Sequence, residues 1–227
     1  MKTWGILGAL DAEVALLLDQ MEVEESTTVY GSTYYQGTLQ GKRVVLACCG
    51  IGKVAAALCA HVMLRELGAD VLINVGIAGA MQQGLTVKDV VIGNELIFHD
   101  FDEELLTKYY PHCSRFPADE GLAALCEQAC RELGNVRFCT GRIVSGDVFV
   151  SESALKRDIA ARYSPACVEM EGAAIAQVAH MSGKPFLVVR TMSDTADDSA
   201  EELYDNFFAE AADQSAHILL KMLSLAE

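Results

Sequence analysis

Apolar and polar positions change period repeatedly along the chain, and the changes divide it into strands and helices that alternate. Thr3–Ala9 is an apolar run punctuated by Gly5 and Gly8. Behind it, Val14, Leu17, Leu18 and Met21 recur at helical spacing, with Asp11 placed to cap the helix. Tyr34–Leu39 and Arg43–Cys48 read as two strands joined by the turn Gln40-Gly41-Lys42. Gly50-Ile51-Gly52-Lys53 opens a helix carrying Val54, Leu58, Val62 and Leu67, which Gly68 closes. Val71–Val75 is apolar throughout, as expected of a strand covered on both faces. It runs into Gly76-Ile77-Ala78-Gly79-Ala80, read as a loop whose glycines allow close backbone approach.

Val90–Phe98 is a further strand, whereas residues 99–117 show no period, a length of irregular chain that often carries function. Leu122–Leu133 is a helix and Val136–Ile143 a strand. Residues 144–150 form a turn that exposes Phe149 before a helix capped by Ser151. At Cys167–Ala174 an apolar run passes through Glu169 and Glu171 into a small-residue helix that continues to Ala179. Pro185–Val189 is the last strand. It is followed by Arg190-Thr191-Met192-Ser193-Asp194 and by an amphipathic helix from about Glu201 to Leu225. This alternation predicts an α/β fold, a three-layer αβα sandwich around a twisted, mixed but mostly parallel sheet, with the early hairpin as the antiparallel part. No Pro-, Ser- or charge-rich linker divides the 227 residues, so one domain over 1–227 is expected.

Composition narrows the choice of partner. Lys and Arg number 17 against 32 Asp and Glu, and a net charge of -15 repels a phosphodiester backbone, so nucleic acid is not expected. No apolar run approaches the ~18 residues of a membrane span. The eight cysteines form no Cys-x-x-Cys pair, and no leader pattern precedes the first strand; both point to reduced thiols in the cytoplasm. Cys126 and Cys130 share a helix face but lack His or Asp at ligand spacing, so no metal is expected, and no cofactor either. Gly50-Ile51-Gly52-Lys53 is not followed by the Ser or Thr of a P-loop, and no Gly-x-Gly-x-x-Gly follows the first strand.

Ligands in doubly wound folds bind beyond the carboxyl ends of strands. This chain places Leu10, Asp11, Glu13, Gly50, Ile51, the 76–79 glycines, residues 146–150, residues 169–171, Ser193 and Asp194 there. Glu13 and Asp194 each have a plain reading, as an acid at a helix amide end and as a turn cap. Glu169 and Glu171 share a face on an extended backbone but diverge on a helix, so one of them is expected to serve a ligand. Three carboxylates around one crevice suit cleavage of a glycosidic bond: an acid for the leaving group, a base for water and a grip on sugar hydroxyls.

Five segments in order carry a resemblance that spans nearly the whole chain: Gly5–Val14, Gly50–Ala57, Val144–Phe149, Val168–Glu171 and Val189–Asp194. In these the sequence resembles the 5'-methylthioadenosine/S-adenosylhomocysteine nucleosidases of the purine nucleoside phosphorylase superfamily. The resemblance implies that Glu13 is the general base for water and that Asp194, supported by Ser193, protonates adenine N7. It implies that Glu171 binds the ribose 2'- and 3'-hydroxyls, with Met170 against the sugar, and that Phe149 stacks on adenine, whose edge the Val150 backbone reads. Gly79 lines the site. Leu10, Ile51 and Tyr204 form an apolar wall around the 5'-alkylthio group, and Arg190 lies near the catalytic water. The family's homodimers imply a second subunit donating part of that wall.

Two positions depart from the family pattern. Ile77 stands where these nucleosidases usually carry a serine, and residues 100–106 do not reproduce the aromatic loop that reaches into a partner's 5' pocket. Two rival readings remain on the same crevice. A purine nucleoside phosphorylase needs cationic clamps for phosphate, yet no basic residue falls between Lys2 and Lys42, and Glu13 would repel the dianion. A nucleoside-binding sensor would keep the crevice without turnover. A nucleosidase for another 5'-modified adenosine shares every feature named.

Overall fold

The structure, a computed structural model, describes residues 2–227. Its strands are β1 (Thr3–Gly8), β2 (Glu22–Val29), β3 (Ser32–Leu39), β4 (Lys42–Cys48), β5 (Val71–Ala80), β6 (Val90–Phe98), β7 (Phe116–Pro117), β8 (Phe138–Ser145), β9 (Cys167–Glu169) and β10 (Phe186–Asp194). Its helices are α1 (Asp11–Asp19), α2 (Lys53–Arg65), α3 (Glu103–Lys108), α4 (Glu120–Leu133), α5 (Ser153–Tyr163), α6 (Gly172–Met181) and α7 (Ala200–Leu225).

All strands join one mixed sheet between helices. Leu7, Leu72 and Val188 face a core that includes Ala56, Cys59 and Met63 of α2 and Ala173, Ile175 and Ala179 of α6. Ile6, Ile73, Leu187 and Val189 face the opposite core, built with Val14 and Leu17 of α1, Cys126 of α4, and Ile218, Leu219 and Met222 of α7. Each of the Val, Leu, Ile and Met side chains among them contributes roughly 1.5–3 kcal/mol on burial. The parallel pairings are β4–β1–β5–β10 and β6–β8–β9; the antiparallel ones are the β2–β3–β4 meander, β6–β10, β6–β7 and β5–β9. Because β5 pairs with both β10 and β9, the strands β5–β10–β6–β8–β9 close a ring.

Several predicted boundaries move. The Gly76–Ala80 segment is no loop: β5 continues through it, buried at all ten residues, because β10 pairs with it as far as Gly79. Residues 190–194 likewise extend β10, which was expected to end at Val189. Leu10 takes the N-cap position of α1 that Asp11 was expected to fill, and Glu152 precedes α5 in place of Ser151. β8 starts at Phe138 and runs on through Ser145. α2 ends at Arg65, and Gly68 forms the left-handed turn (φ 71°) after it. The sequence pattern gave no sign of β2, a mostly exposed edge strand whose polar residues form a ladder only because β3 pairs with it. Within 99–117 lie the short α3, capped by Asp102, and the two residues of β7.

One detail of the sheet prepares the site. Along one edge of β5, β1 covers residues 71–74 and β9 covers Gly79 and Ala80. Between them Val75–Ala78 have no strand on that edge, which leaves backbone groups there for side chains to satisfy.

Candidate active site

Glu13 fills part of that gap. It sits in the first turn of α1, where Oε2 accepts from the amides of Ala9 (2.6 Å) and Leu10 (2.9 Å), the second reaching back to the N-cap residue of its own helix. Oε1 accepts from the amide of Ile77 at 2.9 Å, on the uncovered edge of β5. Glu13 is 1% exposed, so it is not merely a solvent-facing acid at the helix amide end. Ile77 reaches it through the backbone, while its side chain packs with Tyr204, Phe208, Ala211 and Ala212.

Arg190 pairs in register with Gly76 and lies wholly buried between the acids. Its Nη2 forms an ion pair with Glu169, lies 3.5 Å from Glu171 Oε2 and donates to Asn74 Oδ1 at 2.5 Å; Nη1 is 4.0 Å from Glu13 Oε1. Three carboxylates around it hold its guanidinium firmly charged.

Glu169 and Glu171 divide at the start of α6. Glu169 accepts from the amides of Glu171 (3.1 Å) and Gly172 (2.7 Å) and from the Ser145 hydroxyl, so it is the residue that caps the helix and holds Arg190. Ser145 in turn accepts from the Ala173 amide at 2.7 Å. Glu171, at the N-cap position, makes no capping bond; its Oε1 accepts from the Gly52 amide at 2.8 Å. Burial and the neighbouring Glu169 carboxylate push its pKa up to about 7.

Asp194 ends β10. Its Oδ2 accepts from the Ser193 hydroxyl at 2.8 Å and its Oδ1 from the Ala196 amide at 2.7 Å. Burial raises its pKa above the usual aspartate value, more than these donors lower it.

These groups border a cavity of about 510 Å³. Of the predicted site residues, Glu13, Leu10, Ile51, Ile77, Gly79, Phe149, Met170, Glu171, Ser193, Asp194 and Tyr204 line it. Arg190 and Val150 do not: Arg190 lies behind the carboxylates, and the Val150 side chain is buried with Ile97, Val144 and Ile159. Phe149 is 42% exposed and meets the Tyr204 ring edge-on at 5.7 Å; Tyr204 stacks on Phe208 at 5.3 Å. Sequence reasoning missed Glu201 and Asp205, which line the cavity beside Tyr204. Their four-residue spacing around an aromatic was the signal. Asn74 and Ser145 were also missed, since a buried polar residue inside a strand cannot be told from sequence alone. Among the described residues no group of three or more His, Cys, Asp or Glu is placed to hold a metal.

A largely apolar cavity at the strand ends, ringed by buried carboxylates that one buried arginine holds from behind, is the kind of site an N-glycosyl hydrolase requires. The sequence profile of the phosphorylase superfamily matches residues 3–224, and the chain belongs to that family. It is 39% identical, over 96% of its length and 97% of the relative's, to a 5'-methylthioadenosine/S-adenosylhomocysteine nucleosidase of Aeromonas salmonicida (strain A449). The crystal structure of the 5'-methylthioadenosine/S-adenosylhomocysteine nucleosidase of Neisseria meningitidis in complex with methylthio-immucillin-A superposes with a TM-score of 0.94 at 37% identity, covering 100% of both chains. A futalosine hydrolase of Helicobacter pylori gives a TM-score of 0.92 at 29% identity, covering 99% of this chain and 98% of that one.

Proposed function

We propose that the protein hydrolyses the N-glycosidic bond of 5'-methylthioadenosine and S-adenosylhomocysteine, giving adenine and the 5-thioribose product. The observation that carries hydrolysis over phosphorolysis is the lining of the cavity. Glu13, Glu169, Glu171, Asp194, Glu201 and Asp205 border it, and no Lys, Arg or His among the described residues does. A phosphate dianion there would meet only like charge, whereas water needs a base and no clamp.

In this reading Asp194, whose carboxyl burial pushes toward the protonated form, donates to N7 and lets adenine leave neutral, with Ser193 fixing the carboxyl. Glu13, held by three backbone amides, accepts the proton of the attacking water. Glu171 grips the ribose hydroxyls through the oxygen that Gly52 leaves free, so positive charge developing on the ring meets a carboxylate already in place. Phe149 stacks on the purine, the Val150 backbone reads its edge, and Met170 packs on the sugar. Gly79 lines the site, and Leu10, Ile51, Ile77 and Tyr204 wall the 5' substituent. Arg190 holds the acids in register from behind.

The protein acts as a homodimer, which is supported by three exposed apolar side chains, Ile51 at the cavity just before α2 and Val54 and Leu58 one turn apart on α2. Light scattering at the mass of one chain would contradict this. All eight cysteines are free thiols, which supports a reducing cytoplasmic compartment, and no helix among the described residues is long and apolar enough to cross a membrane. Turnover of the methylthio nucleoside supports a role in methionine salvage, and turnover of the homocysteinyl nucleoside a role in clearing the methyl cycle. A panel of 5'-modified adenosines scored for free adenine tests the reading: the methylthio and homocysteinyl nucleosides are expected to turn over. Binding of both without release of adenine would favour a sensor.

A further inference from the structure

We propose that the start of α2 ties together the two ligand-bearing segments that flank the cavity, and that Lys53 is a positioning residue holding the Phe149 turn through Asp147 and Asp100. The inference rests on the reading above, in which Phe149 stacks on the purine and Glu171 grips the sugar.

Two consecutive backbone amides make the tie. Gly52 donates to Glu171 Oε1 at 2.8 Å, and Lys53 donates to Asp147 Oδ1 at 2.9 Å. Gly52 reaches this position with φ 92°, a left-handed conformation that side chains rarely adopt. Neighbouring donors thereby hold carboxylates from the start of α6 and from the turn after β8.

The turn is then locked from its other side. The Asp147 amide donates to Asp100 Oδ2 at 2.9 Å. Lys53 Nζ donates to both oxygens of Asp100 at 2.7 Å and stands 3.4 Å from Asp147 Oδ2. The same ammonium lies 5.6 Å from the centre of the Phe98 ring, and the Lys53 side chain is only 19% exposed. Three side chains from three segments thus close a triangle. Beyond it, Val148 and Phe149 are both exposed, and the next buried anchor is Val150. Asp147 and Val150 therefore bracket the stacking ring, and Asp147 is the bracket that depends on charge.

The consequence is specific. Removing the ammonium leaves Asp100 and Asp147 facing each other uncompensated, and the turn carrying Phe149 moves relative to Glu171. Purine binding suffers while the catalytic acids, which sit on β10 and α1, stay in place.

The test is a double-mutant cycle read on adenine affinity by calorimetry and on KM and kcat for 5'-methylthioadenosine. Lys53→Met is expected to weaken adenine binding and raise KM by about tenfold, with kcat changing by less than about threefold. Lys53→Arg restores most of both. In a Phe149→Ala background, Lys53→Met costs less than about twofold more, because the ring it positions is gone. Asp147→Asn follows Lys53→Met. Adenine affinity and KM unchanged in Lys53→Met, or the same tenfold loss with Phe149 absent, overturns the proposal, the latter by showing that the cluster serves the fold at large. A wild-type protein that binds adenine but cleaves no nucleoside leaves the affinity arm of the cycle intact and sinks only hydrolysis. A wild-type protein that binds no adenine overturns both.

Discussion

Glu13 Oε1 and Arg190 Nη1 face each other at 4.0 Å across the backbone of Gly76. A Cβ on Gly76 would lie 2.3 Å from each of these atoms, closer than any side chain tolerates. The base and the buried cation are thus held together by an absence of side chain in β5. Gly76→Ala is expected to push Glu13 away from the Ile77 amide, destabilise the protein by roughly 1–3 kcal/mol and cut kcat/KM by at least about tenfold. Thermal unfolding and steady-state kinetics of the variant check both.

The two acids at the start of α6 are expected to fail in opposite ways. Glu171→Gln keeps an acceptor for the Gly52 amide but loses the charge that meets the sugar, so activity falls by roughly 10²-fold while the fold holds. Glu169→Gln removes the close partner of a fully buried Arg190, so unfolding becomes easier by roughly 3–5 kcal/mol. Denaturant titration and adenine release on the same pair separate the roles. A stable, inactive Glu169→Gln with an active Glu171→Gln would reverse them.

The raised pKa of Glu171 gives a pH dependence with a definite sign. Its value of about 7 lies above the ordinary carboxylate value, so the folded state binds the proton more tightly than the unfolded chain does. The stability this contributes is complete below the unfolded value of about 4.5 and is lost as pH rises to about 7. Glu171→Gln should therefore gain on the wild type between pH 5 and 8 in thermal unfolding, by roughly 1–3 kcal/mol. In turnover, kcat/KM should fall as pH drops below about 7, because ribose hydroxyls donate to the ionised form, and Glu171→Gln should lose that limb.

Asp194→Asn places an amide where a neutral acid is required. Turnover is expected to fall by roughly 10²–10⁴-fold with nucleoside binding largely retained, measured as kcat beside a calorimetric Kd. In the wild type the acid is lost as pH rises through the elevated pKa of Asp194, so the alkaline limb of kcat belongs to it.

The sequence made the layered α/β architecture legible because buried strands and amphipathic helices leave period and punctuation behind. Its errors share a cause. Gly76–Ala80 read as a loop and the last strand as ending at Val189 because glycine, serine and aspartate are turn formers, but β5 and β10 support each other there and override that preference. The strands consequently carry the site residues deeper than turns would. Glu13 and Asp194 were visible as acids at element ends, yet nothing local says whether such an acid is buried. The answer lies in contacts far along the chain, such as Ile77 on Glu13 and Gly52 on Glu171. Distant contacts likewise set Arg190 behind three carboxylates and turn the Val150 side chain into the core, placements that no local pattern announces.

The central claim is hydrolysis in an acid-lined cavity, and the most direct measurement is release of free adenine from 5'-methylthioadenosine with and without inorganic phosphate. Equal rates in both, with a free thioribose as the second product, are expected. Strict dependence on phosphate, with a sugar 1-phosphate as product, would contradict it.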